Sequence, residues 1–240
     1  MKKIISENLK TLFYALIIAI IIRSFLFQPF YIPSSSMEPT LLVGDRIFVS
    51  KYSYGYSRHS FPFSPNFSSK RFFTKIPERG DVIVFKTPQD NRTDYIKRLI
   101  GLPGDTIQFV NGELHLNGKK IERVSKIIDM KINLPGTAEF YEEVLPNGKT
   151  FTVAYSKEYD LNKNSDAYIV PPKKYFFMGD NRDNSTDSRV LSKVGYVSEI
   201  NLVGKANFIF FSNDKNKGSF FEFWNWDDSI RFTRFFNKIK

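Results

Sequence analysis

The first strongly apolar stretch of the chain covers residues 12–22, which read LFYALIIAIII and lie between Lys10 and Arg23. Eleven residues at 1.5 Å each give about 17 Å of helix, which is short of the ~30 Å hydrocarbon core of a bilayer. This length, the basic start of the chain and the small residues at 34–36 are typical of a cleavable signal peptide.

A helix that starts at Ile4 spans 19 residues and is long enough for an uncleaved membrane anchor. Glu7 and Lys10 then lie in its first two turns, where long charged side chains reach the interface. Three lysines precede the apolar run and one arginine follows it, which predicts a cytoplasmic N-terminus. A buried helix is disfavoured because the run has no polar face. The segment alone leaves the anchor and the signal peptide open.

Beyond residue 23 the pattern changes to short strands and turns. Pro29 and Pro33 are incompatible with the interior of a helix. Runs of β-branched and aromatic residues follow at 46–50, 81–85, 106–110 and 208–211. Asn111-Gly112 stands between two such runs and is a strong β-hairpin signal. We therefore predict a mainly β body.

The composition excludes several kinds of chemistry. The 240 residues are 42% hydrophobic, which is enough for a folded core, and they include no cysteine. Disulfide scaffolds, thiol catalysis and cysteine-bound zinc are thereby excluded, and the two histidines, His59 and His115, argue against a multi-histidine metal site. We expect neither a metal nor a cofactor.

The formal charge of +10 has several explanations. A positive charge of this size is consistent with binding to nucleic acid, with binding to an anionic membrane surface, or with solubility alone. The basic residues form no run of five, and no zinc-finger spacing or RNA-binding signature is present, so nucleic acid is the weakest of the three.

Residues 52–75 are rich in Ser, Pro, Tyr and Phe and poor in aliphatic side chains. The simpler interpretation is a long surface loop or an extended hairpin. The density of phenylalanine also suits insertion into a lipid interface. The five phenylalanines concerned are Phe61, Phe63, Phe67, Phe72 and Phe73.

Two segments carry candidate catalytic groups. In 32–41, which reads IPSSSMEPTL, two prolines fix the backbone on either side of a serine cluster and hold a hydroxyl in place. In 94–105, which reads DYIKRLIGLPGD, Lys97 and Arg98 interrupt an apolar stretch. Strand alternation places these two side chains on opposite faces, so one of them can face an apolar interior. A desolvated lysine loses its proton readily and can act as a general base, whereas a snorkelling surface lysine is the alternative.

A third segment, 179–189, reads GDNRDNSTDSR and resembles a calcium loop only superficially. An arginine stands where an EF-hand needs a ligand, and the glycine and glutamate of that motif are missing. A structured polar loop, in which arginines and aspartates satisfy one another, is the better interpretation. The chain also lacks the G-x-S-x-G elbow, which argues against a Ser-His-Asp hydrolase.

These three segments, in this order after an N-terminal apolar helix, resemble the motifs of type I signal peptidases. The matching stretches are about 23–49, 79–105 and 178–206, and GDNRDNSTDSR is the most specific of their motifs. The resemblance implies a signal-peptidase-like β-rich catalytic body and an N-terminal helix that is kept as a transmembrane anchor. It also implies a membrane-anchored serine endopeptidase that removes signal peptides from exported preproteins by Ser/Lys acyl-enzyme hydrolysis.

The resemblance assigns roles residue by residue. Ser36 matches the nucleophile and Lys97 the general base. Ser34 matches the serine whose hydroxyl, together with the Ser36 amide, forms the oxyanion hole. Ser185 matches the serine that orients the lysine amine.

Further positions of the chain match supporting and substrate-binding residues of this family. Asp187 and Arg189, together with Arg98, match an ion-pair network that supports the site. Ser35 is a departure, since many members have glycine there, and serine is tolerable unless that backbone needs a positive φ. The residues that resemble the lining of shallow apolar pockets for small P1 and P3 side chains are Ile32, Met37, Leu41, Val84 and Ile96.

The implied organisation has four parts along the chain. Residues 1–23 form a cytoplasmic N-terminus and a single transmembrane anchor, and 24–120 form the first part of the catalytic body. Residues 121–170 form a polar insertion or second lobe, and 171–240 form the second part of the body and the C-terminal tail. The implied location is the inner (cytoplasmic) membrane of a bacterial cell, with the body on the periplasmic, outer side. The expected partners are preprotein signal peptides and an anionic phospholipid surface, and no nucleic acid.

Two other functions fit the sequence less well. A LexA-like self-cleaving Ser/Lys protease requires a DNA-binding helix-turn-helix, which the first 23 residues cannot supply. A non-catalytic, membrane-anchored β-rich binding protein would have no need of Ser36, Lys97 and Ser185, and the presence of all three argues against it.

Overall fold

The computed structural model describes residues 2–158, 163–214, 216–218 and 222–240. Helix α1 (Lys2–Ile21) continues through a π-helical turn (Ile22–Leu26) directly into the first strand. The stretch Ser6–Leu26 is long and apolar enough to cross a membrane, and almost none of it is buried against the rest of the protein. An N-terminal apolar helix is therefore present, in agreement with the anchor expected from the sequence.

The body is built from antiparallel strands in three sheets, so the predicted mainly β class is confirmed. The large sheet has seven strands in the order β1-β2-β14-β3-β4-β12-β13. Its strands are β1 (Phe27–Tyr31), β2 (Asp45–Ser50), β3 (Val82–Lys86), β4 (Asp94–Gly101), β12 (Lys174–Met178), β13 (Val197–Ser198) and β14 (Leu202–Ser212).

Two smaller sheets complete the body. One has the order β11-β5-β6-β7 and the other β10-β9-β8. Their strands are β5 (Thr106–Val110), β6 (Glu113–Leu116), β7 (Lys119–Lys120), β8 (Glu122–Lys126), β9 (Ala138–Val144), β10 (Thr150–Ser156) and β11 (Tyr168–Ile169). A short helix, α2 (Trp226–Ser229), and 3₁₀ turns at Arg58–Ser60, Glu199–Asn201, Phe223–Asn225 and Phe232–Arg234 account for the remaining helical residues described.

The hairpin predicted at Asn111-Gly112 joins β5 to β6. Asn111 has φ +51° and Gly112 φ +73°, the left-handed pair that a two-residue type I′ turn requires. Asn117 and Gly118 repeat the same conformation, with φ +53° and +75°, between β6 and β7.

The segment 121–170 shares a hydrophobic core with the rest of the body. Phe151 and Val153 from this segment pack in one buried cluster with Ile100, Phe176 and Met178. The short strand β11 also pairs with β5, which lies outside the segment.

Residues 52–75 pack against the end of the membrane helix. The rings of Tyr56 and Phe61 each make an edge contact with Phe25, at 5.4 and 5.5 Å between centroids. The Tyr56 hydroxyl also donates a hydrogen bond to the Phe25 carbonyl at 3.0 Å. Phe63 and Phe73 remain almost completely exposed, which leaves large apolar side chains where the helix meets the body.

Candidate active site

Ser36 lies in the segment 32–44, which connects β1 to β2. The Ile32 amide donates to the Asp45 carbonyl at 2.9 Å, and the Gly44 amide donates back to the Ile32 carbonyl at 3.0 Å. These two bonds close the segment into a loop, so the backbone around Ser36 is fixed from both ends.

The carboxylate of Asp45 secures the base of this loop. It is completely buried and accepts hydrogen bonds from the Leu42 amide at 2.8 Å and the Ser212 hydroxyl at 2.6 Å. Arg234, from the last residues of the chain, pairs with the same carboxylate at 2.6 Å. Side chains from β14 and the C-terminal segment therefore hold the loop that carries Ser36.

Lys97 points from β4 to Ser36. Its Nζ donates to Ser36 Oγ at 2.5 Å and to the Ile96 carbonyl at 3.1 Å. Both side chains of the pair are buried, with 4% of Lys97 and 8% of Ser36 exposed. The two residues that the sequence resemblance assigns as nucleophile and base are therefore in direct contact.

The surroundings of Lys97 favour its neutral form. Burial lowers the pKa of its amine to about 8, although the negative charges of Asp187 and Asp180 oppose the shift. An amine with that pKa is about half neutral at pH 8, whereas an ordinary lysine is almost fully protonated there. Desolvation is thus the main device that prepares this amine to accept a proton.

The polar loop 179–189 packs against the Ser36 segment. Asp187 in this loop is completely buried, accepts from the Gly179 amide at 2.9 Å and pairs with Arg189 at 2.7 Å. Burial alone raises the pKa of this carboxyl, but the charge of Arg189 and the Gly179 amide outweigh it and bring the pKa below its usual value. Asp187 is therefore a fixed negative charge near Lys97.

Ser185 Oγ is buried close to the site. Among the described residues no hydrogen bond joins it to Lys97 Nζ. A Cβ built on Gly179 would lie 2.2 Å from this oxygen and 2.4 Å from the Ser36 carbonyl oxygen. Gly179 therefore leaves no room for a side chain between Ser185 and the Ser36 backbone. The role of Ser185 in orienting the lysine stays a prediction.

Arg98 forms a separate ion pair from that of Arg189. Its guanidinium is buried and donates to both carboxylate oxygens of Asp180, at 2.7 and 2.6 Å. It also lies 4.0 Å above the ring of Phe151. The supporting charges are thus two neighbouring pairs, and Asp180 is a member that the sequence did not single out.

Three asparagines, which the sequence also did not single out, clamp the serine cluster. The Asn181 amide donates to the Ser36 carbonyl at 3.2 Å, and its Nδ2 donates to the Ser35 and Asn133 carbonyls at 3.1 and 3.0 Å. Asn184 Nδ2 donates to Ser35 Oγ at 3.0 Å. The only sequence signal for this clamp was the asparagine content of 179–189, and nothing marked Asn133.

A cleft of about 570 Å³ opens beside Ser36 and Lys97. Three of the predicted pocket residues, Ile32, Val84 and Ile96, line it. Phe30 and Tyr95 add aromatic walls that the sequence did not indicate. Apolar side chains therefore form much of the cleft surface, and Ser36 and Lys97 are among the polar residues that line it.

Two predicted pocket residues do not line the cleft. Met37 and Leu41 are completely buried in a core cluster, although they belong to the same loop as Ser36. Ser34 lines the cleft, with its Oγ 3.5 Å from Ser36 Oγ. In the described part of the chain the Ser36 amide N–H has no hydrogen-bond partner, so it is free to donate to a substrate.

One edge of β4 is open next to the cleft. Residues 94–98 of this strand pair with β3 on one side, whereas β12 pairs only with Arg98, Leu99 and Gly101 on the other. The stretch 94–97 therefore leaves backbone groups unpaired by any described strand, at the point where Lys97 reaches Ser36. An extended peptide can add to such an edge by β-augmentation.

Comparison with known proteins gives consistent matches. The model of a family described as signal peptidase, peptidase S26, matches residues 5–211. Signal peptidase I of Rickettsia akari (strain Hartford) is 43% identical over 230 residues, which cover 90% of this chain and 80% of that protein. Signal peptidase I of Rickettsia bellii (strain OSU 85-389) is 39% identical over 256 residues, which cover 99% and 86%. The crystal structure of a signal peptidase I from Enterococcus faecalis V583 matches 55% of this chain and 97% of its own chain, at 27% identity and with a TM-score of 0.32.

Proposed function

We propose, because the chain belongs to the signal peptidase family (peptidase S26), that Ser36 and Lys97 are its catalytic nucleophile and general base. The chain is a serine endopeptidase that removes signal peptides from preproteins. The observation that carries the assignment of the two residues is the 2.5 Å contact between Lys97 Nζ and Ser36 Oγ in a buried setting.

The first half of the reaction forms an acyl-enzyme. The neutral amine of Lys97 takes the proton of Ser36 Oγ as this oxygen attacks the scissile carbonyl carbon. The bond between carbonyl carbon and nitrogen then breaks, and the Lys97 ammonium returns the proton to the departing amine of the mature protein. The signal peptide remains as an ester on Ser36.

Two donors are proposed to stabilise the oxyanion. These are the Ser36 amide and the Ser34 hydroxyl, whose oxygen lies 3.5 Å from Ser36 Oγ. Each such donor is worth about 3 kcal/mol in the transition state. In the second half, Lys97 takes a proton from water, the resulting hydroxide attacks the ester, and Ser36 recovers its hydrogen from the Lys97 ammonium.

The substrate is proposed to lie extended in the cleft, paired with the open edge of β4 at 94–97. Alternate side chains of an extended peptide point to the same face, so the P1 and P3 side chains enter the cleft together. Ile32, Val84 and Ile96 form its apolar walls and favour small, uncharged residues at both positions.

The body is proposed to sit on the outer surface of the bacterial inner membrane, with one span and a cytoplasmic N-terminus. Ser36 lies 14 residues beyond Ile22, the last residue of the apolar run, so the site is close to the bilayer. The charge of +10 suits an anionic phospholipid surface. Cleavage sites of preproteins lie at the same depth, next to the membrane-bound signal peptide.

The test is cleavage of a preprotein by the full-length chain in detergent. We expect Ser36→Ala and Lys97→Ala each to lower kcat/KM by at least about a thousandfold. The matched controls are Ser69→Ala and Lys119→Ala, two exposed residues outside the cleft, and they should cleave at the wild-type rate. Retention of wild-type activity by either Ser36→Ala or Lys97→Ala would show that the proposed pair is wrong.

A further inference from the structure

A second cavity, of about 430 Å³, lies beside the substrate cleft where the membrane helix meets the body. It shares Phe30 and Asp94 with that cleft. Its other walls come from the end of the helix, from residues 61–64 of the aromatic segment 52–75 and from the turn at 91–92.

This cavity holds an excess of positive charge. Lys86 is neutralised by Asp94 at 2.8 Å. Arg23 and Arg92 also line the cavity, and among the described residues neither guanidinium makes an ion pair. Two arginines without an ion-pair partner at one cavity are suited to an anion, and the forked guanidinium geometry suits phosphate oxygens in particular.

Another part of the cavity wall is formed by His59 and residues 61–64. Arg58 Nε donates to His59 Nε2 at 3.3 Å, so the proton of the ring is on Nδ1, which donates to Ser64 Oγ at 3.0 Å. Burial lowers the pKa of His59 to about 4, so the ring is uncharged at neutral pH. Phe63, which also lines this cavity, is completely exposed, and an exposed phenylalanine of this kind suits insertion into a lipid interface.

A third cavity, of about 720 Å³, continues the second along the helix. The two share Arg23 and Gln28. The rest of its lining is apolar and comes from the helix, from β1 and from the face of the large sheet. These residues are Ala19, Ile22, Phe27, Pro29, Phe48 and Phe208.

We propose that the second and third cavities together bind one anionic phospholipid. The phosphodiester lies between Arg23 and Arg92, and an acyl chain lies in the groove between Ala19 and Phe208. This inference rests on the proposed placement of the body at the outer surface of the membrane.

The order of the two cavities along the helix matches the order of the parts of a lipid. Arg23 follows the apolar run and therefore lies at the interface. Ala19 is four residues earlier, about 6 Å deeper along the helix axis, where acyl chains begin. A polypeptide occupant would leave the two arginines unneutralised unless it carried acidic residues, whereas an anionic lipid satisfies both the charge and the groove.

A lipid bound there touches the substrate cleft through the shared residues Phe30 and Asp94. It would join the body to the bilayer beside the entrance of the cleft. The site therefore offers a way for the membrane to set the height of the active site above the bilayer.

The test measures binding with the full-length chain in neutral detergent micelles. Dioleoylphosphatidylglycerol or dioleoylphosphatidylcholine is titrated in, and bound lipid is counted by native mass spectrometry. We expect the wild type to bind one phosphatidylglycerol in preference to phosphatidylcholine. The double variant Arg23→Gln/Arg92→Gln should weaken that binding about tenfold. Ala19→Trp, which fills the groove, should also weaken it.

The control for lost charge is Lys119→Gln/Lys174→Gln, two exposed lysines outside all three cavities. This control should bind phosphatidylglycerol within twofold of the wild type. Equal phosphatidylglycerol binding by the arginine variant and this control overturns the proposal.

Two further outcomes also overturn the proposal. Competition by millimolar inorganic phosphate, with no effect of Ala19→Trp, assigns the arginines to a free anion. A raised KM for a preprotein in the arginine variant, with phosphatidylglycerol binding unchanged, assigns the cavity to the polypeptide. Because lipid binding is counted without cleavage, a wild type that fails to process preproteins would refute the proposed function and leave the lipid result standing.

Discussion

The amine of Lys97 must be neutral to take the proton of Ser36, and its pKa of about 8 places that change within reach of an assay. Burial in the folded protein lowers this pKa, but the protonated amine still predominates at any pH below about 8. We expect kcat/KM for preprotein cleavage in detergent to rise about tenfold per pH unit up to about pH 8 and then to level off.

The measurement is a pH profile with one preprotein, and samples held at each pH and returned to pH 8 control for denaturation. A rate that stays constant from about pH 6 to pH 9 would contradict a lysine base with this pKa.

Gly179 allows the polar loop to approach the backbone of Ser36, the proposed nucleophile. A methyl group there would meet the Ser36 carbonyl oxygen at 2.4 Å, and since this is a backbone atom, Ser36 itself must move. Displacements of this kind cost about a hundredfold in rate, so we expect Gly179→Ala to lower kcat/KM by at least that factor.

The control for Gly179→Ala is Gly118→Ala, at a glycine with φ +75° and nothing within 4 Å of an added methyl group. Backbone strain of about 1–2 kcal/mol should lower its Tm while its kcat/KM stays at the wild-type value. If Gly179→Ala behaves like this control, close approach at Gly179 is not what positions Ser36.

The strand β9 supports the polar loop through a buried ion pair between Glu143 and Arg182. The Tyr155 hydroxyl from β10 completes the contact, accepting from Arg182 Nη1 at 2.7 Å and donating to Glu143 Oε1 at 3.1 Å. The Ala154 amide also donates to the Asp180 carbonyl at 2.8 Å. The segment 121–170 thus helps to hold the loop that positions Ser36.

Removal of one partner of this pair leaves the other charge buried and unpaired, which costs about 3–5 kcal/mol. We expect Glu143→Leu to lower Tm by roughly 10 °C and to lower kcat/KM as the loop loosens. Glu143→Leu/Arg182→Met removes both charges and should recover most of the Tm. Thermal unfolding and cleavage of the three proteins in one detergent measure both effects, and a single variant with wild-type Tm would contradict this account.

Local rules predicted the elements whose shape depends on a few neighbouring residues. The β5–β6 hairpin follows from Asn111-Gly112, since these two residue types adopt positive φ easily. The neighbours of β14 could not be predicted in this way, because its pairing with β2 joins residues as distant as Ser50 and Lys205. Side-chain periodicity shows which face of a strand is buried and does not identify its partner strand.

The same limit applies to the candidate site: short motifs indicated its central residues but not the residues that pair with them. Short motifs indicated Ser36 and Lys97, and the structure brings these two side chains into contact. The partner of Arg98 was not predictable, because the chain has 25 acidic residues and sequence pattern does not choose among them. Asn133 was missed for a related reason, since its part in the clamp comes from a backbone carbonyl, which every residue possesses.

The membrane helix, the aromatic segment 52–75 and the catalytic body meet at one point. The contacts of Phe25 with Tyr56 and Phe61 attach the segment 52–75 to the end of the helix. The substrate cleft and the second cavity share Phe30, which lies on β1, directly after the helix. A helix held in this way sets the position of the active site relative to the bilayer, so the orientation of the helix determines which compartment the enzyme serves.

The orientation can be measured cleanly, because a chain without cysteine has no background in thiol labelling. Three lysines before the apolar run and one arginine after it favour a cytoplasmic N-terminus. In spheroplasts we expect a membrane-impermeant maleimide to label Lys119→Cys on the body at once and Glu7→Cys only after lysis. The cysteine-free wild type is the blank, and labelling of both variants after lysis shows that each thiol is reactive. Labelling of Glu7→Cys in intact spheroplasts, with Lys119→Cys protected, would place the active site in the cytoplasm and reverse the proposed topology.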